Sequence, residues 1–204
     1  MMVVQGLWGL NNAFQTMIIG HMSDSAIAAS SVYSTLFLLV KSMAVGAASS
    51  ASVIVGKTIG AGRIDTVKEY AKTMQFLFVF IGIVSGTLLF FLRIPVLGLY
   101  DLLPETRSLA NTFLMLQCII CMTMSYQMPV NNGIIRGGGS PEFVVKLDII
   151  SIWCIVIPVS FFMAFVVKAS PVVVFCCLNA DQIFKCIPAG IKVNYGTWIK
   201  KLTR

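Results

Sequence analysis

Four ionisable side chains lie deeper inside apolar runs than a loop position would explain: Lys41, Asp148, Asp181 and Lys185. Such groups are costly in hydrocarbon, so they are kept where they meet one another or a water-filled path, and the chemistry open to them is capture and release of a proton or small cation. Asp181 and Lys185 stand four residues apart, so on a helix they share a face and neutralise each other, a structural ion pair at first reading. Asp148 has no sequence-local cation except Lys146, which points elsewhere, and is the best-placed group to exchange a proton. Lys41 is either its partner across the molecule or a side chain that snorkels toward an interface. All four are candidates for coupling to an ion.

Polar side chains without charge accompany them. At 100° per residue, Gln5, Trp8, Asn11, Asn12 and Gln15 fall within about 120° of one another, with Val3, Leu7, Leu10, Phe14 and Ile18 on the other side. Such a stripe reads as the wall of a cavity, with Gln5, Trp8, Asn12 and Gln15 as candidate substrate contacts. The other reading is amides that only bond to neighbouring helices. A second polar set, Gln117, Ser125, Gln127, Asn131 and Asn132, surrounds Pro129, whose missing N–H frees a carbonyl and invites a bend. Gln127 and Asn131 join the cavity candidates, against the alternative of a static kink buried in protein.

Long apolar segments carry these residues. Runs near 2–20, 26–54, 73–92, 108–135, 143–167 and 171–191 each meet the roughly 20 residues that one helical crossing of a bilayer requires. Hydrophobic residues are 57% of the chain and charged ones 11%, too few charges to cover a soluble core. The stretch from Phe76 to Leu92 is continuously apolar, which excludes the alternation of a barrel strand. The fold class expected is an all-α membrane protein, one bundle of six transmembrane helices over residues 1–204.

Of fifteen Lys and Arg, only Arg93, Arg107 and Lys168 fall in the first, third and fifth intervals that face one side, and Lys41 lies mid-span. The rest, among them Lys57, Arg63, Lys68, Lys72, Arg136, Lys192 and Lys200, collect on the opposite side. The positive-inside rule then places both termini in the cytoplasm, as six crossings also require. The expected location is a prokaryotic cytoplasmic membrane. The net charge of +7 is scattered over loops without a basic stripe or interleaved aromatics, so contact with lipid headgroups is expected and nucleic acid is not. No basic leader or small-residue cleavage site precedes the first run, so no removable signal peptide is expected.

Several familiar chemistries are disfavoured. The six cysteines fall inside spans, and the pair Cys118 and Cys121 lacks the loop and second ligand pair of a zinc site. The stretch ASVIVGKT (51–58) ends like a phosphate loop but begins on Ala51 within a helical run. The stretch RGGGS (136–140) follows a helix rather than a strand, so Arg136, Gly137, Gly138 and Gly139 read as a tight turn before Pro141. Gly56, Gly60 and Gly62 read as turn-forming positions at the end of the second span. No nucleophile with a base shares a face, so an enzyme is not expected, nor a metal or organic cofactor. Small residues in GAASSA (46–51), and Gly82 with Gly86, allow a neighbouring helix to approach closely.

The motifs resemble a known family. VGKTIGAG (55–62), closing a second span that starts with AIAA (26–29), is followed in order by IIRGGG (134–139), by Phe143 with Asp148 downstream, and by WIKKL (198–202). This set resembles the multidrug and toxic compound extrusion (MATE) transporters, specifically their C-terminal six-helix lobe, as a fragment or half-length protein. The resemblance implies two such bundles about a pseudo-twofold axis, with a cavity between them. It also implies export of drugs or other small organic cations against inward Na⁺ or H⁺, with no cofactor beyond that ion. A second lobe, either a preceding half or a second copy, would be the partner, since a carrier that rocks one bundle against another needs an opposing wall. The alternatives are a non-transporting membrane interaction module and an inactive truncated transporter. Where relatives carry Asn-Glu-x-x-Trp, this chain has VQGLW (4–8), and Gln5 cannot titrate. Ser140 replaces an acidic residue after the glycine turn, and a Glu-Glu pair appears as Asp181 and Gln182. Coupling in this lobe therefore falls to Asp148 or Asp181, or to the other lobe.

Overall fold

The computed structural model describes residues 2–21, 24–100 and 103–200, with side chains from Gly9 onward. Six long helices follow in order: α1 (Met2–Gly20), α2 (Asp24–Gly60), α3 (Ile64–Leu99), α4 (Pro104–Ile135), α5 (Pro141–Val166) and α6 (Pro171–Tyr195). The last three each open on a proline, whose missing N–H costs nothing in a first turn. The described residues contain no strand. α2 and α3 run to 37 and 36 residues, longer than their apolar stretches of 26–54 and 73–92, because helical hydrogen bonding continues past the hydrocarbon boundary into polar turns. α2 through α6 are each long and apolar enough to cross a membrane.

The bundle is an all-α membrane fold with α4 at its centre. α4 packs against α2, α3 and α6, while α1 touches α2, α5 and α6. Outward-facing side chains are large and apolar, with Phe76, Phe91 and Leu99 among the most exposed, as a surface solvated by lipid demands. Inside, two apolar layers enclose a polar one. Val55, Phe78, Ile134 and Val193 form the layer at the end that bears most Lys and Arg. Leu36, Leu89, Phe113 and Phe175 form the layer toward the other end. Along α4 the buried Gln127 and Asn131 fall between these layers, and along α6 so do Asp181, Gln182 and Lys185.

Prolines loosen the helices at that level. Pro129 lacks the N–H that would bond to Ser125, and α4 continues as π-helix over Val130–Ile135. α5 is π-helical over Ile149–Val156, before Pro158. Pro188 cannot donate to Phe184, and α6 is interrupted by a single turn at Lys185.

Close approaches follow the small residues. A Cβ on Gly133 of α4 would stand 2.8 Å from the Ala48 carbonyl oxygen of α2, and one on Gly82 of α3 would stand 2.8 Å from that of Met122. The GAASSA stretch and the Gly82–Gly86 pair are thus the contact lines of α2 and α3 on α4. Two loops close at the basic end with positive φ, at Gly62 (75°) and Gly139 (90°). Gly56 is corrected from a turn position to an interior residue of α2, while Gly60 is the last residue of that helix, and both have open space beside them. The helix persists there because nothing in VGKTIG interrupts its hydrogen bonds before Gly62.

Candidate functional site

Lys185 is the hub of the polar layer. Its Nζ lies 2.8 Å from Asp148 Oδ1 on α5 and 3.0 Å from Asp181 Oδ2 on its own helix. The lysine side chain is 1% exposed, against 17% for Asp148 and 7% for Asp181. The (i, i+4) pairing of Asp181 with Lys185 matches the sequence spacing. Asp148 pairs with Lys185 across to α6, a contact that the sequence did not single out.

The pair opens into a chain of hydrogen bonds. Gln182 Nε2 donates to Asp181 Oδ2 at 3.1 Å, Gln127 Nε2 donates to Gln182 Oε1 at 2.7 Å, and Asn131 Nδ2 donates to Gln127 Oε1 at 3.0 Å. The chain therefore runs from the π-helical end of α4 through α6 to α5. It ends on an acceptor, Asn131 Oδ1, that is buried and has no hydrogen bond. Gln182 was not singled out in the sequence as a site residue; its signal was the acidic pair position beside Asp181.

Asn12 and Gln15 face a different space. With Tyr33, Lys41, Asp181 and Gln182 they line a crevice of about 40 Å³ between α1, α2 and α6, room for a water molecule or a bare cation and far below the several hundred Å³ of a drug site. Asp181 and Gln182 thus serve two settings, with one side toward the Lys185 hub and the other toward the crevice. Lys41 Nζ stands 5.8 Å from the Phe37 ring centre, and the spacing of Tyr33, Phe37 and Lys41 on α2 was the overlooked mark of this wall. Asn11 is buried with an unbonded Oδ1. Gln5 and Trp8 lie outside the residues whose side chains are described. Gln127 and Asn131 do not line the crevice. They are buried members of the network, joined to the crevice wall through Gln182.

The electrostatics follow from counting charges. Lys185 pairs with both carboxylates and Lys41 lines the crevice beside Asp181, so the four ionised groups balance to a formal charge of zero. A small cation entering the crevice would compete with Lys185 for an Asp181 carboxylate oxygen. Among the described residues no cluster of three or more His, Cys, Asp or Glu could hold a metal ion.

The glycine turn has a structural partner. Trp198 is 2% exposed and packs against Gly138, where any Cβ would overlap the indole. Its Nε1 donates to the Val193 carbonyl at 2.8 Å, Ser140 Oγ donates to the Trp198 carbonyl at 3.0 Å, and the Lys200 amide donates to Gly138 O at 2.8 Å. Arg136, Gly137, Gly138 and Gly139 thus form a seat for the segment after α6, with Gly137 against Ser52 of α2.

Known proteins share this architecture. An outward-facing multidrug resistance MATE family transporter of the MOP superfamily superposes with TM-score 0.88 and 14% identity, covering 100% of this chain and 45% of that one. A MOP superfamily transporter from Pyrococcus furiosus, described as having a binding pocket of reversed polarity, gives 0.87 and 13%, covering 98% and 44%. Among curated relatives, a probable multidrug resistance protein NorM of Listeria monocytogenes is 27% identical over 150 residues, which is 74% of this chain and 33% of that protein. A probable NorM of Halalkalibacterium halodurans is 24% identical over 113 residues, or 55% and 24%. The chain spans less than half the length of these proteins. The profile of the MatE family matches residues 1–162, most of the chain, and this establishes that the chain belongs to that family.

Proposed function

We propose that this bundle is one lobe of a cation-coupled exporter of amphipathic organic cations, working against a second lobe in a prokaryotic cytoplasmic membrane with both termini inside. The observation that carries the reading is the Asp148–Lys185–Asp181 hub, a buried set of charges at the level where three helices are irregular. Na⁺ or H⁺ arriving from the crevice reaches Asp181 first. There it loosens the hold of Lys185, and a change in that hold moves α5 relative to α6. The small crevice volume supports the need for an opposing wall, since a drug-sized space would form only between two such bundles. Asn12 and Gln15 then belong to the substrate-facing wall, and lipid surrounds the apolar circumference.

The test is expression of the chain in a bacterium stripped of its own drug exporters. Ethidium efflux that collapses with a Na⁺ or proton ionophore, together with a cross-linked dimer in mild detergent, is expected if two copies form the carrier. Efflux unaffected by either ionophore would overturn ion coupling. Co-purification of a longer carrier without any gain in tolerance would replace the reading with an interaction module, and neither tolerance nor partner would leave an inactive lobe.

A further inference from the structure

The basic end of the bundle contains a second polar feature that transport chemistry leaves unused. Between the start of α3 and the end of α6 lies a cleft of about 470 Å³, lined among others by Lys68, Lys72, Asn194, Thr197 and Trp198. No acidic side chain lines it. Neither lysine has a carboxylate within ion-pair distance among the described residues, although Asp65 and Glu69 share their turns of α3. The indole N–H of Trp198 is already committed to Val193, and the Thr197 hydroxyl has no partner among the described residues. The cleft therefore offers donors and positive charge without a close ion pair among the described residues.

A second cleft of about 350 Å³ continues from it, sharing Lys72 and Asn194 and adding Gln75, Phe76, Val79 and Tyr126. Its polar groups are satisfied among themselves. Tyr126 Oη donates to Gln75 Oε1 at 2.8 Å, and Asn194 Nδ2 donates to the same oxygen at 3.2 Å and to the Gly190 carbonyl at 2.9 Å. What remains for a guest is the apolar wall of Phe76 and Val79, both exposed. Lys68, Lys72, Phe76 and Val79 fall on one face of α3 within about 80°. Lys72 borders the apolar run that begins near residue 73, so the face passes from charge to hydrocarbon at the depth of the headgroups.

We propose that these joined clefts bind one anionic phospholipid from the leaflet at the basic end, its phosphate between Lys68, Lys72 and the Thr197 hydroxyl and its first acyl methylenes along Phe76 and Val79. This goes beyond general attraction of loop cations to a membrane surface, because it names one site on one side of the circumference. The Trp198 seat on the glycine turn forms the far wall, so the lipid would fasten α3 to the segment that follows α6.

The purified full-length chain is irradiated in micelles containing photoactivatable phosphatidylglycerol or phosphatidylcholine, and labelled peptides are mapped. Labelling by phosphatidylglycerol concentrated on residues 64–79 and 193–199 is expected. Lys68→Gln with Lys72→Gln should lower it by about 25-fold, at about fivefold per lysine, while Lys68→Arg with Lys72→Arg retains it. Equal labelling by both lipids, labelling spread evenly around the bundle, or an unchanged yield in the glutamine variant would overturn the proposal. So would competition by millimolar glycerol 3-phosphate, which would assign the cleft to soluble phosphate esters.

Discussion

Lys185 of α6 donates to Asp148 of α5 at 2.8 Å while also holding Asp181 on its own helix, so a single cation ties two helices and stabilises two carboxylates. Removing it strands both. Lys185→Met is expected to cost about 3–5 kcal/mol, the usual penalty when one member of a buried ion pair is deleted. Asp148→Asn should cost less, because Lys185 keeps Asp181. Replacing all three together with Asn, Asn and Met should recover part of the loss. Thermal unfolding in detergent measures this order, and a Lys185→Met protein as stable as its parent would show that the hub carries no stability.

The same hub gives Asp148 its role in coupling. Asp148→Asn is expected to abolish ion-driven ethidium efflux while leaving membrane insertion intact. Undiminished efflux in the ionophore assay would remove this carboxylate from the mechanism.

Water access distinguishes the two polar settings. Asn12 is exposed and Gln15 half-buried at the crevice, whereas Gln127 is buried behind Gln182. Asn12→Cys and Gln15→Cys should therefore react with a small, charged methanethiosulfonate faster than Gln127→Cys, with the six native cysteines of the parent as background. Equal and slow reaction at all three would mean that the α1 amides only pack.

These contrasts show where sequence reasoning reaches its limit. Helix existence and order were legible because six apolar runs punctuated by charge have few physical solutions, and the Asp181–Lys185 pair was legible because regular helical spacing holds between them. The partner of Asp148 was not, since pairing across helices depends on helix rotation, and a π-helical stretch begins one residue later. The contacts of Asn131 were not legible either, since a fixed 100° per residue fails from Val130 onward, where α4 widens into π-helix. Gly56 resembled a turn residue only by type and Gly60 closes α2; of VGKTIGAG, Gly62 alone takes a positive φ.

Topology follows from the distribution of cations and can be read with single cysteines. Arg63 and Arg107 are both exposed and lie at opposite ends of the bundle. A membrane-impermeant maleimide added to intact cells should label Arg107→Cys and spare Arg63→Cys until the cells are opened. The reverse pattern would place the termini outside and overturn the positive-inside reading.

The glycine turn supplies the last contrast, because three glycines of the same motifs should respond differently to one added methyl group. At Gly138 a Cβ would overlap the Trp198 ring and stand 3.0 Å from the Trp198 carbonyl oxygen, so Gly138→Ala must displace the indole or the turn, at about 1–3 kcal/mol for overpacking. At Gly139 the obstacle is φ of 90°, and alanine there should lose about 1–2 kcal/mol through backbone strain. Gly56→Ala meets nothing within 4 Å inside a helix and should gain about 0.5–1 kcal/mol. Thermal unfolding ranks the three, and tryptophan fluorescence separates the first two. Gly138→Ala should shift emission to the red as Trp198 leaves its seat, and Gly139→Ala should leave it unmoved. A red shift at neither position, with all three unfolding alike, would show that the segment after α6 is not held by this contact.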